Sequence, residues 1–202
     1  MLPNGVYLAA GLGWPSFNIE VYNINDGSLV MTLVGHTGWL NDLVLISSTI
    51  MASSGGTADG TIRFWDLTTN TTTFVLAGGG DVAGLKLIYS DVLASGASDN
   101  NVRLWNTTSG QPISVLSGHT FYIIFSVDLL SNGQTLVSGS WDQTLKLWHW
   151  STGQCLITLN TSLTINSLAT VKSKFFFVLK YVWDHMLLLG FKKIAFSQKS
   201  EF

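Results

Sequence analysis

Four short runs in this chain are variants of one pattern: Asn18-Ile19-Glu20-Val21-Tyr22-Asn23, Thr61-Ile62-Arg63-Phe64-Trp65-Asp66, Asn101-Val102-Arg103-Leu104-Trp105-Asn106 and Thr144-Leu145-Lys146-Leu147-Trp148-His149. Their aromatic anchors, Tyr22, Trp65, Trp105 and Trp148, stand 43, 40 and 43 residues apart. A fixed period of that length means stacked units, none of which can bury its apolar surface alone. It also changes the reading of each polar residue, because a side chain that recurs with the period does the same structural task in every unit.

The unit around Trp148 is the clearest. Pro112-Ile113-Ser114-Val115-Leu116 precedes Ser117-Gly118-His119-Thr120; Tyr122 to Val127 forms a second apolar run; Asn132-Gly133 leads into Thr135 to Ser140, and Trp141-Asp142-Gln143 turns the chain into the anchor run. Runs of five to seven residues rich in β-branched and aromatic side chains, with Asn-Gly and Thr-Gly punctuation, read as strands joined by hairpins. No helical periodicity is sustained anywhere. About four antiparallel strands per unit, stacked radially so that neighbouring sheets cover each other, is the β-propeller geometry. The units expected are about 1–28 (partial), 29–71, 72–111 and 112–154, with the start of a further one at 155–171.

Charge divides the chain at the same place. Residues 1–171 carry four basic and ten acidic groups, whereas 172–202 carry six lysines and two carboxylates. An acidic body lacks the clustered Lys and Arg that nucleic-acid binding requires, so no nucleic-acid partner is expected. The single cysteine, Cys155, excludes an internal disulfide and a cysteine-based zinc site. No basic and apolar leader opens the chain, and the expected location is intracellular, cytoplasmic or nuclear. Residues 172–202 read as a Lys-, Phe- and Leu-rich tail unrelated to the repeat; Lys180, Asp184 and His185 interrupt its apolar stretch, so membrane contact is not expected. Trp183-Asp184 lies 35 residues beyond Trp148, with Phe177 where a turn Asp would stand, and is not a repeat anchor.

Gly35-His36, Gly118-His119, Trp65-Asp66, and Asp59, Asp99 and Asp142, each six residues before an anchor Trp, resemble WD repeats over about residues 5–171. The resemblance implies an all-β WD-repeat propeller fragment of three full four-stranded blades and a partial N-terminal one. It also implies, in each complete blade, a hydrogen-bond chain through His, Ser or Thr, Asp and Trp. By offset from the Trp, one set is complete: His119, Ser138, Asp142 and Trp148. The first unit offers His36, Asp59 and Trp65, with Gly55 at the Ser position; the second offers Ser95, Asp99 and Trp105, with Gly79 at the His position. Ser16 and Tyr22 stand at the Asp and Trp positions of the partial copy.

His119, Ser138 and Asp142 are also the residue types of a hydrolase triad, but no G-x-S-x-G elbow is present and the set recurs by period, so it reads as structure. Gly78-Gly79-Gly80 lacks the Lys-Ser/Thr of a phosphate loop, and no metal-ligand spacing occurs. No catalysis, cofactor or metal is expected. The resemblance implies a loop face presented to other proteins. On it, three residues after the His and one before the turn Asp, stand the candidate anchors Trp39, Tyr122 and Trp141. Arg63, Arg103 and Lys146, two before each Trp, read as a solvated outer face. An open arc also leaves a sheet edge able to self-associate. The alternatives to an interaction scaffold are a remnant of a larger WD-repeat gene and a regulatory segment separated from an enzyme domain.

Overall fold

The structure, a computed structural model, describes residues 6–121, 124–171, 174–179 and 190–193. Among them are eighteen strands in five antiparallel sheets and no helix. The first sheet holds β1 (Tyr7–Gly11), β2 (Ile19–Asn23) and β3 (Leu29–Leu33). The second runs β4 (Leu40–Leu45), β5 (Ile50–Gly55), β6 (Thr61–Asp66) and β7 (Thr71–Ala77). The third runs β8 (Val82–Tyr89), β9 (Val92–Ala97), β10 (Asn101–Asn106) and β11 (Pro112–Ser117). The fourth runs β12 (Ile124–Leu129), β13 (Thr135–Ser140), β14 (Thr144–His149) and β15 (Gln154–Asn160). The last holds β16 (Ala169–Val171), β17 (Lys174–Leu179) and β18 (Gly190–Lys193).

Sheet and sequence unit are out of step by one strand. The strand that opens each unit (β3, β7, β11 and β15) is the outermost strand of the preceding sheet. Each unit therefore begins by finishing its predecessor, which ties neighbouring sheets together covalently. Among the described residues 163–170 do not pair with the first sheet: β16 pairs with β17, and β1 with β2. Most of the Lys-rich tail, Trp183-Asp184 included, lies outside the described residues, and among those described no helix is long and apolar enough to cross a membrane.

The middle strands β9 and β13 are buried along their whole length. They can be, because they are built from small residues. A Cβ on Gly96 would sit 2.6 Å from Ile124 Cγ2, and one on Gly139 would sit 2.4 Å from Ile165 Cγ2. Ile124 of β12 and Ile165, in the segment before β16, thus each rest on a glycine of the preceding sheet. The anchor strands β6 and β10 put Ile62 and Phe64, and Val102 and Leu104, into the core. The indoles cross the sheet boundaries: Trp65 packs with Ile19 and Leu33 of the first sheet, Trp105 with Phe64 of the second, and Trp148 with Leu104 of the third. A buried Trp truncated to Ala costs about 3–5 kcal/mol, so these three are the main struts between sheets.

The inner strands are stitched across sheets by polar bonds. Asp42 Oδ2 accepts the Leu85 N–H at 2.8 Å, Ser126 Oγ accepts the Leu168 N–H at 3.2 Å, and Lys86 Nζ meets Asp128 Oδ1 at 2.7 Å. Burial pushes the Asp42 carboxyl up, against the opposing pull of the Leu85 and Leu43 N–H groups and Lys86.

Candidate functional site

In the fourth sheet Trp148 Nε1–H donates to Ser138 Oγ at 2.8 Å, Ser138 Oγ meets His119 Nε2 at 2.7 Å, and His119 Nδ1 meets Asp142 Oδ2 at 2.7 Å. Asp142 also accepts the Thr120 N–H at 3.0 Å and the Thr144 N–H at 2.9 Å, so one carboxylate pins the loop before the sheet and the hairpin within it. The chain fixes every proton. The carboxylate can only accept, so Nδ1 carries the proton that faces Asp142, and the neutral ring presents Nε2 as acceptor to the Ser138 hydroxyl, whose oxygen accepts from the Trp148 indole. Burial holds the His119 pKa below the ordinary imidazole value despite Asp142, and the ring is neutral near pH 7.

The second sheet repeats this geometry and corrects one sequence assignment. The hydroxyl is supplied by Ser53, not by the Gly55 position: Trp65 Nε1–H donates to Ser53 Oγ at 2.8 Å, and His36 Nε2 meets it at 2.6 Å. His36 Nδ1 lies 3.0 Å from Asp59 Oδ2. The β5–β6 turn is two residues longer than the β13–β14 turn, which moves Ser53 to twelve residues before its Trp, where Ser138 stands ten before. Gly55 is needed by that longer turn, since a Cβ there would lie 2.5 Å from Asp59 Oδ1. Burial opposes ionisation of Asp59, but the Thr61 hydroxyl, the Thr37 N–H and His36 outweigh it and hold the pKa at about 2. Burial lowers the His36 pKa.

The third sheet keeps the indole bond, Trp105 Nε1–H to Ser95 Oγ at 2.9 Å, but has no histidine. Arg103 takes its place. The guanidinium pairs bidentately with Asp99, and its Nη1 donates to Gly78 O at 3.1 Å. A Cβ on Gly79 would fall 2.3 Å from Arg103 Nη1, so glycine at the His position is what admits the arginine. The expected solvated face is therefore corrected at Arg103, which folds onto its own turn; Lys146 Nζ reaches Thr158 Oγ1 at 2.9 Å. In the first sheet Tyr22 OH donates to Glu20, and Ala10 stands where the other sheets carry the serine.

Chemically these sets hold rather than react. Ser53, Ser95 and Ser138 are fully buried with the indole N–H on the hydroxyl oxygen, so no substrate carbonyl can approach. Among the described residues no group of His, Cys, Asp and Glu could hold a metal ion.

The candidate anchors are placed unequally. Trp39 is 62% exposed; its carbonyl accepts the Gly56 N–H at 2.7 Å and its ring meets Phe17 edge-on at 6.3 Å. It lies over Gly13, where a Cβ would come within 2.3 Å of Cζ3. The neighbouring Trp14, on the same β1–β2 loop, is 76% exposed and was not among the sequence candidates. Trp141 is half-buried and donates its N–H to Asn166 Oδ1 at 2.8 Å. Tyr122 lies outside the described residues; beside it Phe121 is exposed. A loop aromatic next to Pro15, just before the first anchor run, was the available signal for Trp14.

The family model described as "WD domain, G-beta repeat" matches residues 27–66, 71–106 and 110–149. A 50-residue stretch is 42% identical to Polycomb protein EED of Chaetomium thermophilum, covering 25% of this chain and 9% of that protein. A 91-residue stretch is 35% identical to the B-type cell cycle switch protein ccs52A of Medicago truncatula, covering 44% of this chain and 19% of that one. Both matches thus span a small part of the relative. The WD40 beta propeller domain of Doa1 superposes with a TM-score of 0.69 at 21% identity, over 80% of this chain and 53% of that one, a likeness of fold.

Proposed function

The chain belongs to the WD40 family, and we propose that it works as a non-catalytic platform that binds partner proteins through its loop face. Propellers of this family typically serve in protein–protein interaction. The reading is carried by one observation: Trp39 stands exposed on a loop whose base is tied, through the Thr37 N–H and Asp59, into a buried hydrogen-bond chain, with the exposed Trp14 on the adjoining loop. An aromatic held in place before binding loses little entropy on contact, which makes it an efficient anchor. Trp39 leads the proposal with Trp14 and Phe17 beside it. Trp141 contributes less, because its N–H is engaged by Asn166, and Tyr122 enters on sequence position alone. An intracellular setting fits the lone Cys155.

Affinity capture from a cell extract with wild type and with Trp39→Ala, Trp14→Ala and the double variant tests this. Loss of specific partners from the double variant, with unchanged melting, is expected. An unchanged partner set removes the loop face from the account.

A further inference from the structure

Residues 1–171 carry four cationic side chains, and three of them find a partner inside the chain. Lys86 meets Asp128, Arg103 pairs bidentately with Asp99, and Lys146 reaches Thr158. Arg63 is the exception. Among the described residues its guanidinium makes no hydrogen bond or ion pair, although the side chain is half-buried and its Nε is fully enclosed. The other sheets show how this position is satisfied elsewhere. Arg63, Arg103 and Lys146 each stand two residues before an anchor Trp and lie under a loop glycine. A Cβ on Gly35 would fall 2.8 Å from Arg63 Nη1, one on Gly79 2.3 Å from Arg103 Nη1, and one on Gly118 3.9 Å from Lys146 Cε. In the third sheet the acceptor is the turn carboxylate, Asp99, which no histidine engages. In the second sheet the equivalent Asp59 is held by His36 at 3.0 Å, by the Thr37 N–H at 2.6 Å and by the Thr61 N–H at 2.9 Å. In the fourth sheet the acceptor is the Thr158 hydroxyl, directly opposite Lys146 on β15. The residue opposite Arg63 on β7 is Val75, whose side chain has no acceptor. Both internal solutions are closed to Arg63. An enclosed N–H without an acceptor is costly, and more so on a charged group, so an acceptor brought from outside is favoured there.

We propose that Arg63 is a docking point for an acidic side chain of a partner protein, whose carboxylate takes the bidentate place on the guanidinium that Asp99 takes on Arg103. The planar fork of the guanidinium matches two carboxylate oxygens. Val34, next to Gly35, is 69% exposed, and Val75 is 51% exposed, so the approach is bordered by aliphatic surface and the recognised residue carries aliphatic neighbours. That border also thins the water around the ion pair and strengthens it. The remaining surface opposes acidic segments, with ten acidic groups against four basic ones in residues 1–171, so an acidic segment is held at this point rather than anywhere on the body. The charge is already felt inside the chain: burial first, and then Arg63, push the His36 pKa down against the pull of Asp59. None of these residues is among the loop aromatics, and the inference does not depend on the loop-face reading.

The chain has two arginines, so the full chain labelled with 15N-arginine gives two Nε–H resonances, with Arg103 as internal reference. The probe is the capped tripeptide acetyl-valyl-glutamyl-valine amide, with its glutaminyl counterpart as control. The glutamyl peptide is expected to shift the Arg63 resonance saturably, at one per chain, and to leave Arg103 in place; the glutaminyl peptide is expected to bind at least tenfold more weakly. Arg63→Gln is expected to abolish binding. Val75→Glu, which keeps Arg63 and supplies a carboxylate from the exposed position opposite it, is expected to move the Arg63 resonance without peptide and to weaken the peptide at least tenfold. Should Arg63→Gln not fold, the titration and Val75→Glu decide. Trp39→Ala is expected to leave the titration unchanged. An Arg63 resonance that the glutamyl peptide does not move, or that both peptides move equally, overturns the site. Inorganic phosphate that saturates the same resonance at a tenfold lower concentration than the glutamyl peptide makes phosphate the ligand and overturns the carboxylate version.

Discussion

Ser53 and Ser54 are neighbours in one strand, both fully buried, and their replacement by alanine is expected to have opposite consequences. Ser53 Oγ serves two buried groups, Trp65 Nε1 at 2.8 Å and His36 Nε2 at 2.6 Å. Ser53→Ala leaves both without a partner, and a buried polar group left unsatisfied costs about 1–3 kcal/mol. With the imidazole able to shift slightly toward Asp59, the expected loss is about 2–4 kcal/mol, or roughly 5–15 °C in melting temperature for a chain of this size. Ser54 Oγ has no hydrogen-bond partner. Ser54→Ala removes a hydroxyl whose desolvation was never compensated, so it is expected to be neutral within about 0.5 kcal/mol or slightly stabilising. Ser95→Ala, which strands only the Trp105 indole, is expected between them at about 1–2 kcal/mol. Thermal and urea unfolding of the three variants give the comparison. If Ser53→Ala and Ser54→Ala unfold together, the hydroxyl does not tie Trp65 to His36 and the reasoning fails.

Other outcomes follow from the same geometry. Gly55→Ser, which the plain ten-residue offset suggests as a repair, is expected to destabilise by about 1–3 kcal/mol, because its Cβ would press on Asp59 Oδ1; urea midpoints check it. Arg103→Lys keeps the charge but loses the bidentate pair with Asp99 and the bond to Gly78 O, and is expected to cost about 1 kcal/mol in the same assay. Acidification is expected to destabilise in two stages. The folded pKa values of His36 and His119 lie below the unfolded value, so their contribution is whole above about pH 6.5 and is lost as pH falls below it. Asp59, at about 2 when folded against 3.8 unfolded, adds a second loss as pH falls from 3.8 toward 2. A urea midpoint that rises between pH 7.5 and pH 5 contradicts the histidine stage.

The sequence carried the fold because its strongest signals are local and periodic. An indole, a turn Asp six residues earlier and a Gly-His pair 29 residues earlier keep their spacing in two units, because strand length and hairpin type fix the distances between them. The spacing failed where a turn changed length. Ser53 sits one strand and a longer turn away from Trp65, so a rule counted from the Trp landed on Gly55. The missing His at Gly79 was legible, but not that Arg103 would fill the space, since that depends on the absence of a Cβ rather than on any motif. The one-strand offset between unit and sheet was not legible either: an outer strand reads the same whether it closes one sheet or opens the next. Exposure of loop aromatics was the least readable property. Trp39 and Trp141 are both loop aromatics, and the contact of Trp141 with Asn166, 25 residues on, is not visible in the local sequence.

Hydrogen exchange of the indole Nε1–H groups, followed by NMR, tests the central claim most directly. Trp65, Trp105 and Trp148, each donating to a buried serine, are expected to exchange only through opening of their sheets, many orders of magnitude slower than Trp14 and Trp39. Anchor indoles that exchange as fast as Trp14 would contradict the account.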